Sequence, residues 1–125
     1  IPCPYTACEF ESRPGHQKGI IMLSKYQQEV DDWMKTLEVG YWTPHEMLAR
    51  ATEEMGELAR LINHQYGPKK KKASESRQEL GEEIADVIFA LTCIANAEGI
   101  NLDDSFARVM DKCYGRDKER FEKKL

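Results

Sequence analysis

No run of apolar residues in this chain approaches the roughly 20 that a membrane-spanning helix needs, and nothing at its start reads as a secretory signal. The default expectation is therefore a cytoplasmic protein with no membrane partner. No segment alternates apolar and polar residues for long enough to make a strand, which leaves an all-α fold. An excess of basic charge is also missing. The chain has 18 Lys and Arg against 22 Asp and Glu, a net charge of −4, so a broad nucleic-acid-binding surface is not expected. Cysteines are few, and Cys3 and Cys8 with His16 lack the paired spacing of a structural zinc site. Cys93, among Leu91, Ile94 and Ala95, reads as a small core residue, and Cys113 as semi-buried on a later helix. Glu-x-x-His pairs are absent too. The residues three after Glu54, Glu57, Glu83 and Asp86 are Glu57, Arg60, Asp86 and Phe89, which removes a di-iron carboxylate bundle.

What is present suits one soluble, helix-rich domain: 125 residues, 32% charged and 41% hydrophobic. Residues 1–21 hold three prolines and no periodicity. They read as an irregular, appended arm to which no function is assigned, leaving residues 22–125 as the helical domain. Tyr26, Val30, Trp33, Met34 and Leu37 recur at helical steps after Ser24 and predict a first helix stopping near Gly40. Thr43-Pro44-His45-Glu46 has the form of a capping box with proline at the first helical position, opening a second helix to Tyr66. Gly67-Pro68 ends it, and Lys69 to Ala73 forms a basic linker. The Ser76-to-Glu79 spacing offers a second capping box for a third helix reaching Glu98-Gly99. Asn101 with Asp103 and Asp104 starts a fourth, with Phe106, Val109, Met110 and Cys113 as its stripe, before Gly115 interrupts it.

Four carboxylates stand out within this frame. Glu54 and Glu57 lie three residues apart on the second helix, and Glu83 and Asp86 three apart on the third. Residues at that spacing point the same way, and like charges there weaken a helix by roughly 0.2–0.5 kcal/mol per pair. At about 100° per residue, Met47, Leu48, Ala51, Met55, Leu58 and Ile62 share one apolar arc, with Glu54 at its border and Glu57 beyond. Leu80, Ile84, Val87, Ile88, Leu91, Ile94 and Ala95 form the corresponding arc of the third helix, bordered by Glu83 and Asp86 at the same offsets. Two such helices side by side gather four acids at the edge of the core. A hard divalent cation with oxygen ligands offsets their repulsion, and Mg²⁺ is the common choice where a substrate carries phosphates. The alternative is a solvated acidic face on a non-enzymatic helical interaction module, which leaves the duplicated placement unexplained.

The pattern Glu53-Glu54-x-x-Glu57, residues 58–82, then Glu83-x-x-Asp86 resembles the MazG-like nucleotide pyrophosphohydrolases of the all-α NTP pyrophosphatase superfamily. Asn96 before Gly99-Ile100 is similar to that family's third-helix end, and Lys112-x-x-x-Arg116 looks like its basic pair. Gly40-Tyr-Trp-Thr-Pro44 looks like the string found in short, single-domain bacterial members. The resemblance runs from Leu23 to about Lys124. It implies a four-helix bundle that hydrolyses a nucleoside triphosphate to monophosphate and pyrophosphate with Mg²⁺, for which Mn²⁺ substitutes. Phosphoribosyl-ATP pyrophosphohydrolase and dUTPase-like enzymes are its neighbours within the superfamily.

On this reading Glu54, Glu57, Glu83 and Asp86 hold metal. Glu53, as an unligated carboxylate, is the candidate general base. Lys112 and Arg116 bind phosphate oxygens and stabilise the leaving group, the alternative being an ordinary ion pair with the acidic helices. Tyr41 and Trp42 are candidates for stacking on the base, Trp42 equally for a core anchor, and Asn96 joins them as a substrate-binding candidate. Trp33 beside Met34 broadens the first helix's apolar face beyond one seam. A homo-oligomer is therefore expected, with a neighbouring subunit closing the nucleotide pocket; the family resemblance implies the same, as dimers or as dimer-of-dimers tetramers, of which the tetramer is preferred.

Overall fold

The computed structural model describes residues 23–72 and 79–124. The arm at 1–21 and the Ser76 cap lie outside them. Four helices follow in order: α1 Leu23–Met34, α2 Pro44–Tyr66, α3 Leu80–Ala97 and α4 Leu102–Tyr114. No strand occurs among the described residues.

Local chemistry sets these boundaries. At the start of α2 the Thr43 hydroxyl accepts from the Glu46 backbone N–H at 3.4 Å and donates to the Glu46 carboxylate at 2.7 Å. Pro44 takes the first helical position, where no N–H is needed. Asn101 caps α4 in the same manner, its side-chain oxygen accepting from the Asp104 N–H at 3.2 Å. Helix α3 ends in a left-handed Gly99 with φ 66°. The Ile100 N–H returns to the Ala95 carbonyl at 2.8 Å and the Gly99 N–H to the Asn96 carbonyl at 3.1 Å. That pair of bonds is a Schellman motif, which needs a residue free of Cβ at the left-handed position.

Helix α1 is shorter than its apolar spacing predicts. It stops at Met34 instead of running toward Gly40. The Thr36 hydroxyl and N–H both bond the Trp33 carbonyl, at 2.6 and 2.9 Å, and the Leu37 N–H reaches the Met34 carbonyl at 3.1 Å. These tightened bonds end the helix, and Gly40 at φ 62° then redirects the chain. Helix α3 starts at Leu80 with Glu79 in the cap position and no side-chain cap bond.

The α2–α3 pair forms the main packing, α1 lies against α3, and α4 lies against α1. The core contains Met34, Met47, Ala51, Leu61, Val87, Ala90, Cys93 and Ala95. Cys113, expected to be semi-buried, is exposed on α4. The expected apolar arcs are only half used. Leu48, Met55 and Ile62 on α2, with Ile84, Ile88 and Leu91 on α3, remain exposed, because the α2–α3 seam runs through Ala51, Glu54, Glu83 and Val87 instead. The seam passes directly over two of the acids.

Candidate metal centre

Glu54, Glu57 and Glu83 each offer a carboxylate oxygen, and these oxygens lie within 4.8 Å of one another. Glu54 and Glu57 project from successive turns of α2, and Glu83 joins them from the first turn of α3. The acids expected at the edge of the core divide into two kinds. Glu54 is 4% exposed and Glu83 1%, whereas Glu57 and Asp86 face solvent. Neither oxygen of Glu83 has a hydrogen-bond partner. An ionised carboxylate buried without a partner costs on the order of several kcal/mol, or is driven to take up a proton.

The electrostatics follow from this burial. Removal from water raises the Glu83 carboxyl above its ordinary range, and the charges of Glu57, Asp86, Glu54 and Glu82 raise it further. Glu54 is raised as well, by burial first, with Arg50 opposing and Glu57, Asp86 and Glu53 adding to the shift. A converging, all-oxygen, anionic donor set with an orphaned buried member fits a hard divalent cation. Asp86 lies outside the converging trio, although its charge reaches both Glu54 and Glu83.

The profile of the MazG nucleotide pyrophosphohydrolase domain matches residues 42–121, which include both acidic pairs. This chain belongs to the MazG nucleotide pyrophosphohydrolase family. It is an enzyme, a hydrolase, and MazG pyrophosphohydrolases depend on divalent metal. The chain is 49% identical over 98 residues to the uncharacterized protein YpjD of Bacillus subtilis, covering 78% of this chain and 88% of that one. It is 36% identical over 86 residues to YvdC of the same organism, covering 61% and 81%. The crystal structure of YpjD, provisionally named a pyrophosphatase, superposes with a TM-score of 0.65 at 48% identity over 72% of this chain and 92% of that one. The structure of a Bacillus-conserved MazG protein, a nucleotide pyrophosphohydrolase, gives a TM-score of 0.66 at 38% identity over 82% and 99%.

The remaining site candidates of this MazG chain fall in other places. Glu53 is exposed beside the centre, and Arg50 holds it: Nη1 donates to Glu53 Oε2 at 3.1 Å, while Nη2 pairs with Glu54. Lys112 is exposed in the last turn of α4. Arg116 falls beyond the end of that helix, so the basic pair does not share a helical face as its spacing predicts. Its Nε donates to Asp117 at 3.3 Å. Arg116 and Arg120 together hold the Asp117 carboxyl below its usual range. Helix α4 makes its principal contacts with α1.

Tyr41 and Asn96 do come together, at the other end of the bundle. The Asn96 amide donates to the Tyr41 hydroxyl at 3.1 Å and to the Gln27 carbonyl at 2.9 Å. Gln27 Nε2 donates to Asn96 Oδ1 at 3.0 Å and to the Ile100 carbonyl at 2.7 Å, and Gln27 Oε1 accepts from the Leu102 N–H at 2.9 Å. The Tyr41 hydroxyl in turn donates to Asp31 at 2.8 Å, and Lys35 pairs with Asp31 at 2.7 Å. Burial is the main reason that the Tyr41 hydroxyl is raised far above its ordinary value. Asn96 is only 3% exposed, and its amide group donates to both Gln27 and Tyr41, which holds the Tyr41 loop. Trp42, the next residue, is exposed. Glu83 and Asn96 are roughly 20 Å apart along α3 at about 1.5 Å per residue. Sequence reasoning missed Gln27 and Asp31. The available signal was their spacing with Met34, which puts two polar residues at i and i+4 on the buried face of α1.

Proposed function

We propose that this MazG enzyme hydrolyses a nucleoside triphosphate, NTP or dNTP, to the monophosphate and pyrophosphate, as a cytoplasmic step of nucleotide-pool housekeeping. Mg²⁺ is the metal, and Mn²⁺ substitutes for it. The observation that carries the metal reading is Glu83, a carboxylate 1% exposed with both oxygens unpartnered beside Glu54 and Glu57. Those three residues would hold the ion, with Asp86 one turn after Glu83 adding a further carboxylate. A divalent cation bound there supplies neutralisation of the triphosphate and a more acidic, oriented water.

The chain's own residues supply the rest. Glu53, adjoining the trio and steadied by Arg50, takes the proton from the attacking water. Lys112 and Arg116 bind phosphate oxygens and offset charge on the departing pyrophosphate. They act on a pocket completed by a neighbouring subunit. Trp42 offers its exposed ring to the base, and Asn96 fixes that loop through Tyr41. The assembly is a homo-oligomer, a tetramer in preference to a dimer. Its support is the apolar surface that one chain leaves open, including an edge-to-face pair of Trp33 and Phe89 with ring centroids 5.9 Å apart and exposed Leu48, Met55 and Ile88.

A substrate screen tests the reaction. Common and damaged NTPs and dNTPs, together with phosphoribosyl-ATP, are supplied with Mg²⁺, Mn²⁺ or EDTA, and pyrophosphate and monophosphate are quantified. Equimolar monophosphate and pyrophosphate, lost in EDTA, is the expected result. Metal-independent turnover, or release of inorganic phosphate alone, overturns the assignment. For the assembly, Trp33→Glu should split the oligomer and lower activity with it. A fully active wild-type monomer by light scattering at micromolar concentration would rule the assembly out.

A further inference from the structure

Arg50 lies one turn before the acids on α2 and holds two of them at once. Its guanidinium reaches Glu53 at 3.1 Å through Nη1 and Glu54 through Nη2. The two carboxylates differ in kind. Glu53 is exposed, whereas Glu54 is buried and supplies one of the three oxygens gathered within 4.8 Å. Residues three and four positions on from Arg50 flank one spot on the following turn, so a single planar fork spans both.

A guanidinium and a hard cation want the same thing from Glu54, a carboxylate oxygen with its negative charge. Glu54 cannot serve both fully, and the two positive groups repel at such short range. Arg50 is free to yield, since about half of its side chain is exposed, 45%, and its head can leave Glu54 without burying charge elsewhere. Glu53 stays within its reach, so release from Glu54 does not set the fork adrift. A freed guanidinium would then stand about one helical turn, roughly 5.4 Å, from the gathered carboxylates. That is the neighbourhood of any polyphosphate bridged to an ion there. Arginine binds phosphate oxygens through two parallel N–H bonds, with a geometry that lysine lacks.

We propose that Arg50 is the exchange partner of the divalent cation: it releases Glu54 as the ion enters, and its freed fork then binds a phosphate oxygen of the substrate. The proposal rests on the reading of this site as a metal-dependent triphosphate hydrolase. It assigns Arg50 two effects of opposite sign, against metal and for phosphate, which an ordinary structural ion pair does not produce.

The test uses the full chain as wild type, Arg50→Met and Arg50→Lys, with circular dichroism confirming equal helix content. Methionine keeps the apolar stem and removes the charge. Mn²⁺ alone is titrated into EDTA-stripped protein by calorimetry, and inorganic pyrophosphate is then titrated at saturating Mn²⁺. Arg50→Met should bind Mn²⁺ about fivefold more tightly, the scale of one partly exposed ion pair. It should bind pyrophosphate about tenfold more weakly, having lost a charged bidentate contact. Arg50→Lys should fall between on both counts. Wild-type Mn²⁺ uptake with no tightening in Arg50→Met overturns the exchange. Unchanged pyrophosphate affinity overturns the phosphate contact. A wild-type protein that takes up no Mn²⁺ overturns the metal reading itself, and the proposal with it.

Discussion

Helix α3 carries buried polar residues at both ends, and the two ends are built on opposite terms. Near its C-terminus, Asn96 is joined to Gln27 and Tyr41 by donors and acceptors that match. Near its N-terminus, Glu83 is as deeply buried and has no partner for either oxygen. A satisfied buried hydrogen bond contributes only about 1 kcal/mol net, whereas an unsatisfied buried group costs about 1–3 kcal/mol and more when charged. One end of the helix therefore holds α1 and the Tyr41 loop in place. The other is destabilising until positive charge arrives. The closed network is architecture, and the open carboxylate belongs to the proposed metal centre.

The largest effect should come from removing charge at the open end. Glu57→Gln or Asp86→Asn should lower kcat/KM by about 10²- to 10³-fold, the scale of losing one preorganised electrostatic partner. The metal-free melting temperature should stay level or rise, because acid repulsion is relieved. Near-wild-type turnover of both variants at saturating Mg²⁺ would remove these residues from the centre. At the closed end, Asn96→Ala should behave in the reverse way. It strands Gln27 and Tyr41 in the interior and should cost about 2–4 kcal/mol of unfolding free energy in urea, with Mn²⁺ affinity within about twofold of wild type. A variant that kept its stability but lost metal would collapse the distinction between the two ends.

The smallest effect is a pH dependence confined to the open end. Glu83 and Glu54 are both raised above their unfolded values. For a carboxyl raised on folding, the unfolded chain binds fewer protons than the folded one between the two values, so stability falls as pH rises. Their contribution is fully present below the ordinary glutamate value of about 4.3 and is lost as pH climbs through the raised values. The melting temperature of Glu83→Gln relative to wild type, both in EDTA, should therefore increase with pH across that window. Mg²⁺ should shrink the difference by stabilising wild type. A difference that narrows with pH in EDTA would show that Glu83 is not strained by burial.

Much of this was legible before the structure. Caps and terminators are local, so Thr43-Pro44, Gly67-Pro68 and Asn101 place their helix ends within a residue. The acid spacing is also local, and three of the four acids it singles out, Glu54, Glu57 and Glu83, meet, while Asp86 stays outside the trio. Burial is not local. A helical wheel ranks faces by apolar content, and the α2–α3 seam runs instead over Glu54 and Glu83, leaving Met55 and Ile88 outside. The end of α1 was set by the Thr36 hydroxyl, a competitor that periodicity does not register. Gln27 and Asp31 were invisible for a related reason: polar residues on an apolar face make sense only once partners distant in sequence, Asn96 and Tyr41, are known. Gly115 ends α4 between Lys112 and Arg116, so the two do not share the helical face that their spacing predicts.

Helix α4 has no buried residue. Its main hold on the bundle is α1, helped by Asp103, whose carboxylate accepts from the Leu23 and Ser24 N–H groups at 3.2 Å each. An element with so little interior to lose opens at low cost, well before the bundle unfolds as a whole. Its amides should therefore exchange with deuterated solvent ahead of those in α2 and α3. Lys112 is carried on this loosely held helix, so capture of a polyphosphate would draw on the free energy of ordering it and would register as slowed exchange along α4.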